Sequence, residues 1–162
     1  RVKEFAFPDG LVKFFSSNMK PIVLPGGEYS GHRLLICSGK FALNEELIVP
    51  VGTDLVLEDA EIVFGPKGRL TLKGTQYEFL RCEFTVNGGS AKQGMREFVL
   101  CDEGVLSVKI DTCEFNGKHL RTAIVAREAD VVVLNSQFID LRGVVDGGYD
   151  QVSDSCISCK KL

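Results

Sequence analysis

Between Leu47 and Phe79 the chain reads LIVPVGTDLVLEDAEIVFGPKGRLTLKGTQYEF, and the apolar pairs Leu47/Val49, Leu55/Leu57, Ile62/Phe64, Leu70/Leu72 and Tyr77/Phe79 recur every seven or eight residues. Spacing of i, i+2 puts both members of a pair on one face of a short strand. Pro50 with Gly52, Asp59, Gly65 with Pro66 and Gly68, and Gly74 separate the pairs, so the chain changes direction after each strand. Three such strands occupy 22 or 23 residues.

The longer period returns downstream. YEFLRCEF (77–84), VKIDTCEF (108–115) and VVVLNSQF (131–138) align, each with apolar first and third residues and a final Phe. Phe115 to Phe138 is 23 residues, as is Val108 to Val131, whereas Phe84 to Phe115 is 31. A polar stretch, NGGSAKQGM at 87–95, accounts for the excess, so 87–96 is expected to be a loop inserted into one turn. A fixed period built from short strands and turns marks a repeat array. The LxxLxLxxN frame of leucine-rich repeats is absent, and a propeller blade needs about twice the period. The expected fold is therefore all-β: one domain over 1–162, a right-handed parallel β-helix of roughly five turns, with like positions stacked at the ~4.8 Å strand spacing. Phe84, Phe115 and Phe138 are expected to stack inside, with Cys82, Cys113 and Ser136 at an inward position after a bend.

The opening DGLVKFFSSNMKPIVLPGGEYSGH (9–32) resembles the short helix and following "IVL.PG.Y" with which many proteins of the pectin-lyase-like superfamily begin, and the repeat pattern extends that resemblance over nearly the whole chain. Leu11, Val12, Phe14 and Phe15 make an apolar face after Asp9, a candidate N-cap. A capping helix over about 9–18 is thus expected to cover the open end of the coil. Ile22 to Leu24 and Tyr29 would start the first turn. Residues 143–162 are expected to be a C-terminal cap or the start of a further turn.

The resemblance also says which chemistry to look for. Superfamily members that cleave acidic polysaccharide by elimination use carboxylates to hold calcium and an Arg or Lys as base; those that hydrolyse polygalacturonate use paired Asp, a Gly-His-Gly and an Arg-x-Lys. Here GHR (31–33) and GKH (117–119) lack the second Gly and carry no adjacent Asp pair, so His32 and His119 read as solvated surface. The register supplies the strongest acidic group. Glu83, Glu114 and Gln137 take the same place in successive turns and should point outward. Two carboxylates about 5 Å apart disfavour joint ionisation, so either one pKa rises or a cation sits between them. Glu83 and Glu114 are accordingly the candidate catalytic and calcium-binding residues, set against solvated acids or acids paired with Arg81. Asp140 with Arg142, followed by Asp146, forms a second candidate group, read chiefly as an ion pair or turn. No other cofactor is expected, since no phosphate loop, nucleophile motif or HExxH is present.

Composition trims the partners. A formal charge of −3 over 162 residues, with no Lys/Arg stripe, argues against nucleic acid. No apolar run approaches the ~20 residues of a membrane span, and no secretion signal opens the chain. Because it opens on Arg1 and not on Met, the chain is expected to be processed or cut from something longer. There is no Trp and there are three Tyr, a thin supply of platforms for sugar stacking. Six cysteines permit disulfides in an oxidising compartment. Cys37, Cys82, Cys101 and Cys113 read as buried thiols, with a Cys82–Cys113 bridge as the sharper alternative, and Cys156 with Cys159 forms a lone CxxC, half of a zinc site or a disulfide.

The leading functional expectation is a non-catalytic scaffold or binding module that presents a surface to a glycan or protein partner, within a secreted, cell-surface or viral protein. The alternatives are a lyase or hydrolase of acidic polysaccharide, and an intracellular protein-interaction adaptor, because similar repeat turns occur in F-box-type and Shc-binding proteins.

Overall fold

The structure, a computed structural model, describes residues 3–6, 10–16, 20–87, 94–142, 145–146, 151–152 and 157–162. Among the described residues all regular elements are strands. A short strand β1 (Lys3–Ala6) precedes the first turn, which comprises β2 (Leu11–Phe15), β3 (Ile22–Val23) and β4 (Gly27–Glu28). In the second turn β5 (Leu34–Leu43) bends across two faces before β6 (Glu46–Val49), and in the third β7 (Asp54–Phe64) does the same before β8 (Arg69–Leu72). The fourth has β9 (Gln76–Leu80), β10 (Glu83–Val86) and β11 (Glu97–Cys101). After β12 (Ser107–Asp111) and β13 (Glu114–Asn116), β14 (Thr122–Leu134) closes the fifth turn and opens the next, followed by β15 (Gln137–Ile139). Beyond them lie β16 (Val145–Asp146), β17 (Gln151–Val152) and β18 (Ile157–Lys161), which pairs in parallel with β14.

Every ladder between turns is parallel, giving a β-solenoid of about five turns. Three faces result. The first stacks β2, the front halves of β5 and β7, β9, β12 and the back half of β14. The second stacks β3, the back halves of β5 and β7, β10, β13 and β15. The third stacks β4, β6, β8, β11, the front half of β14, and β18. Tyr77 pairs with Val108 and Val108 with Val131, while Phe84 pairs with Phe115 and Phe115 with Phe138, which is the register of the three aligned octets.

The core is the inside of this coil. Of the ten residues in the opening pairs, nine are buried and Leu55 packs against them half-buried. Phe84, Phe115 and Phe138 form a column with near-parallel rings, 4.5 Å and 5.2 Å between centroids. Phe98 from the third face meets Phe64 edge-on at 4.9 Å, tying the column to the opposite wall.

The expected helix over 9–18 is corrected: Leu11–Phe15 is a strand in parallel register with Leu34–Ser38. Its burial alternates, with Val12 and Phe14 inside and Phe15 40 % exposed, the period of a strand. Cross-turn pairing satisfies its backbone where a helix this short would leave most terminal amides and carbonyls unpaired. The first turn accordingly begins one strand earlier than Ile22. At that end β1 pairs antiparallel with β2, so a strand occupies the outer edge of β2. Asp9, residues 17–18, and most of the 87–96 and 143–156 stretches fall outside the described residues. No helix among the described residues is long and apolar enough to cross a membrane.

Candidate functional site

The bend between the first and second faces repeats one short motif. A residue in the left-handed region leads it: Asp59 (φ 52°), Arg81 (φ 52°), Thr112 (φ 55°) and Asn135 (φ 52°). A small residue follows (Ala60, Cys82, Cys113, Ser136), then a polar one (Glu61, Glu83, Glu114, Gln137), then the inward Ile62 or Phe. The positive φ turns the chain by about a corner, and the small side chain lets successive turns stack tightly there. Gly39 (φ 114°) takes the small-residue place in the second turn, where an added Cβ would lie 2.0 Å from the carbonyl oxygen of Ser16.

Stacking this motif cuts a groove of about 680 Å³ along the coil, lined from Ser16 and Gly39 at one end to Asn135 and Gln137 at the other. Its second-face wall is a ladder of outward side chains in strict register, Lys40–Glu61–Glu83–Glu114–Gln137. Glu83 and Glu114 are therefore neighbours, as the octets require. Lys40 and Glu61 extend the row; their signal was present in KFAL (40–43) and EIVF (61–64), where a polar residue precedes an apolar i, i+2 pair as in EFTV (83–86).

Charge along the row is uneven. Lys40 lies 3.6 Å from Glu61. Arg81 does not pair with the stacked glutamates; it grips Asp59 in the preceding turn through two bonds of 2.7 Å and 3.1 Å. The Arg81 hydrogen bond holds Asp59 below its usual carboxylate range. Glu83 moves the other way, raised by burial first and then by Glu61 and Glu114, with Lys40 opposing. Among the described residues, no group of three or more His, Cys, Asp or Glu is arranged to hold a metal ion.

The other candidates lie off the groove. His32 sits beside Tyr29, 6.1 Å between rings, at the turn joining the third face to the first. Asp140 faces His119 at 3.7 Å, at a bend on the far side of the second face. Arg142 follows that bend, its amide donating to the Arg121 carbonyl at 2.8 Å.

Two polar clusters have no counterpart in the octets. Arg121 is 1 % exposed and lies between Phe64 and Phe98, 5.7 Å from each ring. It donates to the carbonyls of Gly65 (2.7 Å), Gly68 (2.6 Å) and Glu97 (2.9 Å), and burial pushes its pKa down to about 10, leaving it charged at neutral pH. On the third face Arg69 joins Glu46 and Glu97, the latter at 2.6 Å. Thr71 adds a 2.6 Å bond to Glu46. Burial pushes Glu46 up, but Thr71 and Arg69 outweigh it and leave the carboxyl lowered. Both clusters bind neighbouring turns together.

Comparison with known protein families, with curated proteins and with solved structures finds no match to this chain. The groove and its ladder carry the functional argument by themselves.

Proposed function

We propose that the chain is a non-catalytic binding module of the pectin-lyase-like, right-handed kind, and that the groove along the first bend receives an extended glycan. The observation that carries this reading is the continuity of the groove. It crosses successive turns and offers one outward hydrogen-bonding side chain per rung, from Lys40 to Gln137, at the ~4.8 Å strand spacing. A linear polymer with hydroxyls at regular intervals suits such a row. Asp59, Glu61, Glu83 and Glu114 outnumber Lys40 and Arg81 in the lining, which favours neutral or amino-sugar chains over acidic ones.

Catalysis is the weaker reading because its groups are dispersed. Arg81, the nearest candidate base, is neutralised by Asp59, and both histidines lie at other corners. The test is titration of the protein with neutral, amino-sugar and uronate oligosaccharides, followed by heat of binding and by ultraviolet absorbance of any unsaturated product. Saturable binding of a neutral or amino-sugar chain, weakened at least tenfold by Glu83→Gln with Glu114→Gln, is expected. Eliminative cleavage of a uronate chain, with a calcium-dependent rise in melting temperature lost in the same double variant, would replace this reading with a lyase. Absence of any binding at millimolar sugar would remove the glycan and leave a protein partner.

A further inference from the structure

Two cysteines share the floor of the groove. Cys82 and Cys113 hold the same register position in successive turns, because Glu83 pairs with Glu114, and the Glu114 amide donates to the Cys82 carbonyl at 2.9 Å. In a parallel ladder this sets their Cα atoms one strand spacing apart, about 4.8 Å, inside the range of roughly 4.4–6.8 Å that a disulfide spans.

The side chains also turn the same way. Cys82 Sγ lies 3.3 Å from both the Leu57 and the Leu80 carbonyl oxygen, and Cys113 Sγ lies 3.4 Å from that of Phe79 and 3.3 Å from that of Asp111, so each thiol has an acceptor for its single proton. Each thiol thus reaches one carbonyl of its own turn and one of the turn before, so the Cys113 sulfur leans toward the turn that holds Cys82. The proximity of the two thiols lowers Cys113 below the usual thiol range and raises Cys82, which burial raises further. Elsewhere in this column the small residue is Gly39, Ala60 or Ser136, none of which carries sulfur. Cys37 and Cys101 lie on other columns, and burial pushes each up to about 12.

Access is narrow but present. Both cysteines line the groove, although Cys82 is 1 % and Cys113 3 % exposed.

We propose that Cys82 and Cys113 are a redox-active dithiol, oxidised by a hydroperoxide entering the groove to a disulfide that joins two successive turns. The Cys113 thiolate attacks one peroxide oxygen; the O–O bond breaks, the alcohol or water leaves with a proton, and Cys113 becomes a sulfenic acid. Cys82 sulfur then attacks the sulfenic sulfur, the S–S bond forms, the S–O bond breaks, and water leaves with the Cys82 proton. Two thiols and one hydroperoxide give one disulfide, one alcohol or water, and one further water. The sulfurs lose two electrons and the peroxide gains them, and a dithiol reductant returns the pair to thiols. The inference does not depend on what occupies the groove.

The experiment treats the intact chain with hydrogen peroxide, blocks the remaining thiols and maps peptides by mass. Loss of two free thiols and recovery of a Cys82–Cys113 cross-linked peptide, both reversed by dithiothreitol, are expected. The urea midpoint should rise on oxidation, because the bond closes a long loop of chain. Cys82→Ala and Cys113→Ala, which place in the column the residue already present at Ala60, should each melt cooperatively and abolish the cross-link. Retention of both thiols, oxidation of Cys113 to sulfinic acid with no bridge, or a bridge mapping only to Cys156 and Cys159 would overturn the proposal.

Discussion

Replacing Phe115 by Ala removes the middle ring of the interior column. Phe115 is 0 % exposed and sits between Phe84 at 4.5 Å and Phe138 at 5.2 Å, with ring planes within 9° of each other. Buried Phe→Ala changes cost about 3–5 kcal/mol, and each aromatic pair contributes about 0.5–1.5 kcal/mol beyond area burial. The backbone strands above and below are held by ladder hydrogen bonds at fixed spacing, so the walls cannot collapse into the void. The upper end applies, about 5 kcal/mol, which at about 2–4 °C per kcal/mol for a domain of this size lowers the melting temperature by about 10–20 °C. Equilibrium urea unfolding of the two proteins measures the difference, and an unchanged slope checks that unfolding remains one transition. Phe15→Ala is the internal control, since that ring is 40 % exposed and should cost about 1 kcal/mol or less. A Phe115→Ala loss no larger than the Phe15→Ala loss would refute the stacked interior.

Gly39→Ala should destabilise by several kcal/mol in the same urea assay, because the new Cβ would sit 2.0 Å from the Ser16 carbonyl oxygen at a φ of 114°. Thr112→Asn should stabilise by about 0.5–1 kcal/mol, since a β-branched residue at φ 55° is strained where Asn is tolerated; a loss would show that the Thr112 bond to Asp111 at 2.9 Å matters more. Arg121→Met should cost about 3 kcal/mol by stranding the carbonyls of Gly65, Gly68 and Glu97, and a melting temperature equal to the parent's would contradict its role as a tie between turns. Glu83 has its folded-state pKa raised, so its carboxylate costs stability above that pKa and the cost fades as pH falls through it toward the unfolded value of about 4.3. Glu83→Gln should therefore raise the melting temperature at pH 7 and make no difference near pH 4. Glu46 and Asp59 are lowered instead, so their contribution is full above the unfolded pKa and is lost as pH falls through the folded one.

The ladder register was legible because its signal is redundant. Apolar i, i+2 pairs, Phe at the end of each octet and turn residues between them all specify one alignment, and Glu83 beside Glu114 follows from it. The opening segment was misread because Leu11-Val12-Lys13-Phe14-Phe15 fits a helical face and a strand equally, and only pairing with Leu34–Ser38 decides between them. The partner of Arg81 was hidden for a different reason. Asp59 sits 22 residues earlier at a left-handed bend, so the two meet only once the turns are stacked, and spacing within one octet cannot reveal it. Arg121 was equally silent, since its partners are backbone carbonyls up to 56 residues away and carry no side-chain signature.

The most direct test of the account is the distance between spin labels carried by unnatural amino acids at positions 40 and 137, the two ends of the outward ladder. The register puts four turn-to-turn steps between them through Glu61, Glu83 and Glu114, so at ~4.8 Å per step the backbone separation is about 19 Å. A narrow distribution centred near that value, allowing for the label arms, is the predicted result. A broad distribution, or a centre beyond about 30 Å, would mean that the turns do not stack in this register.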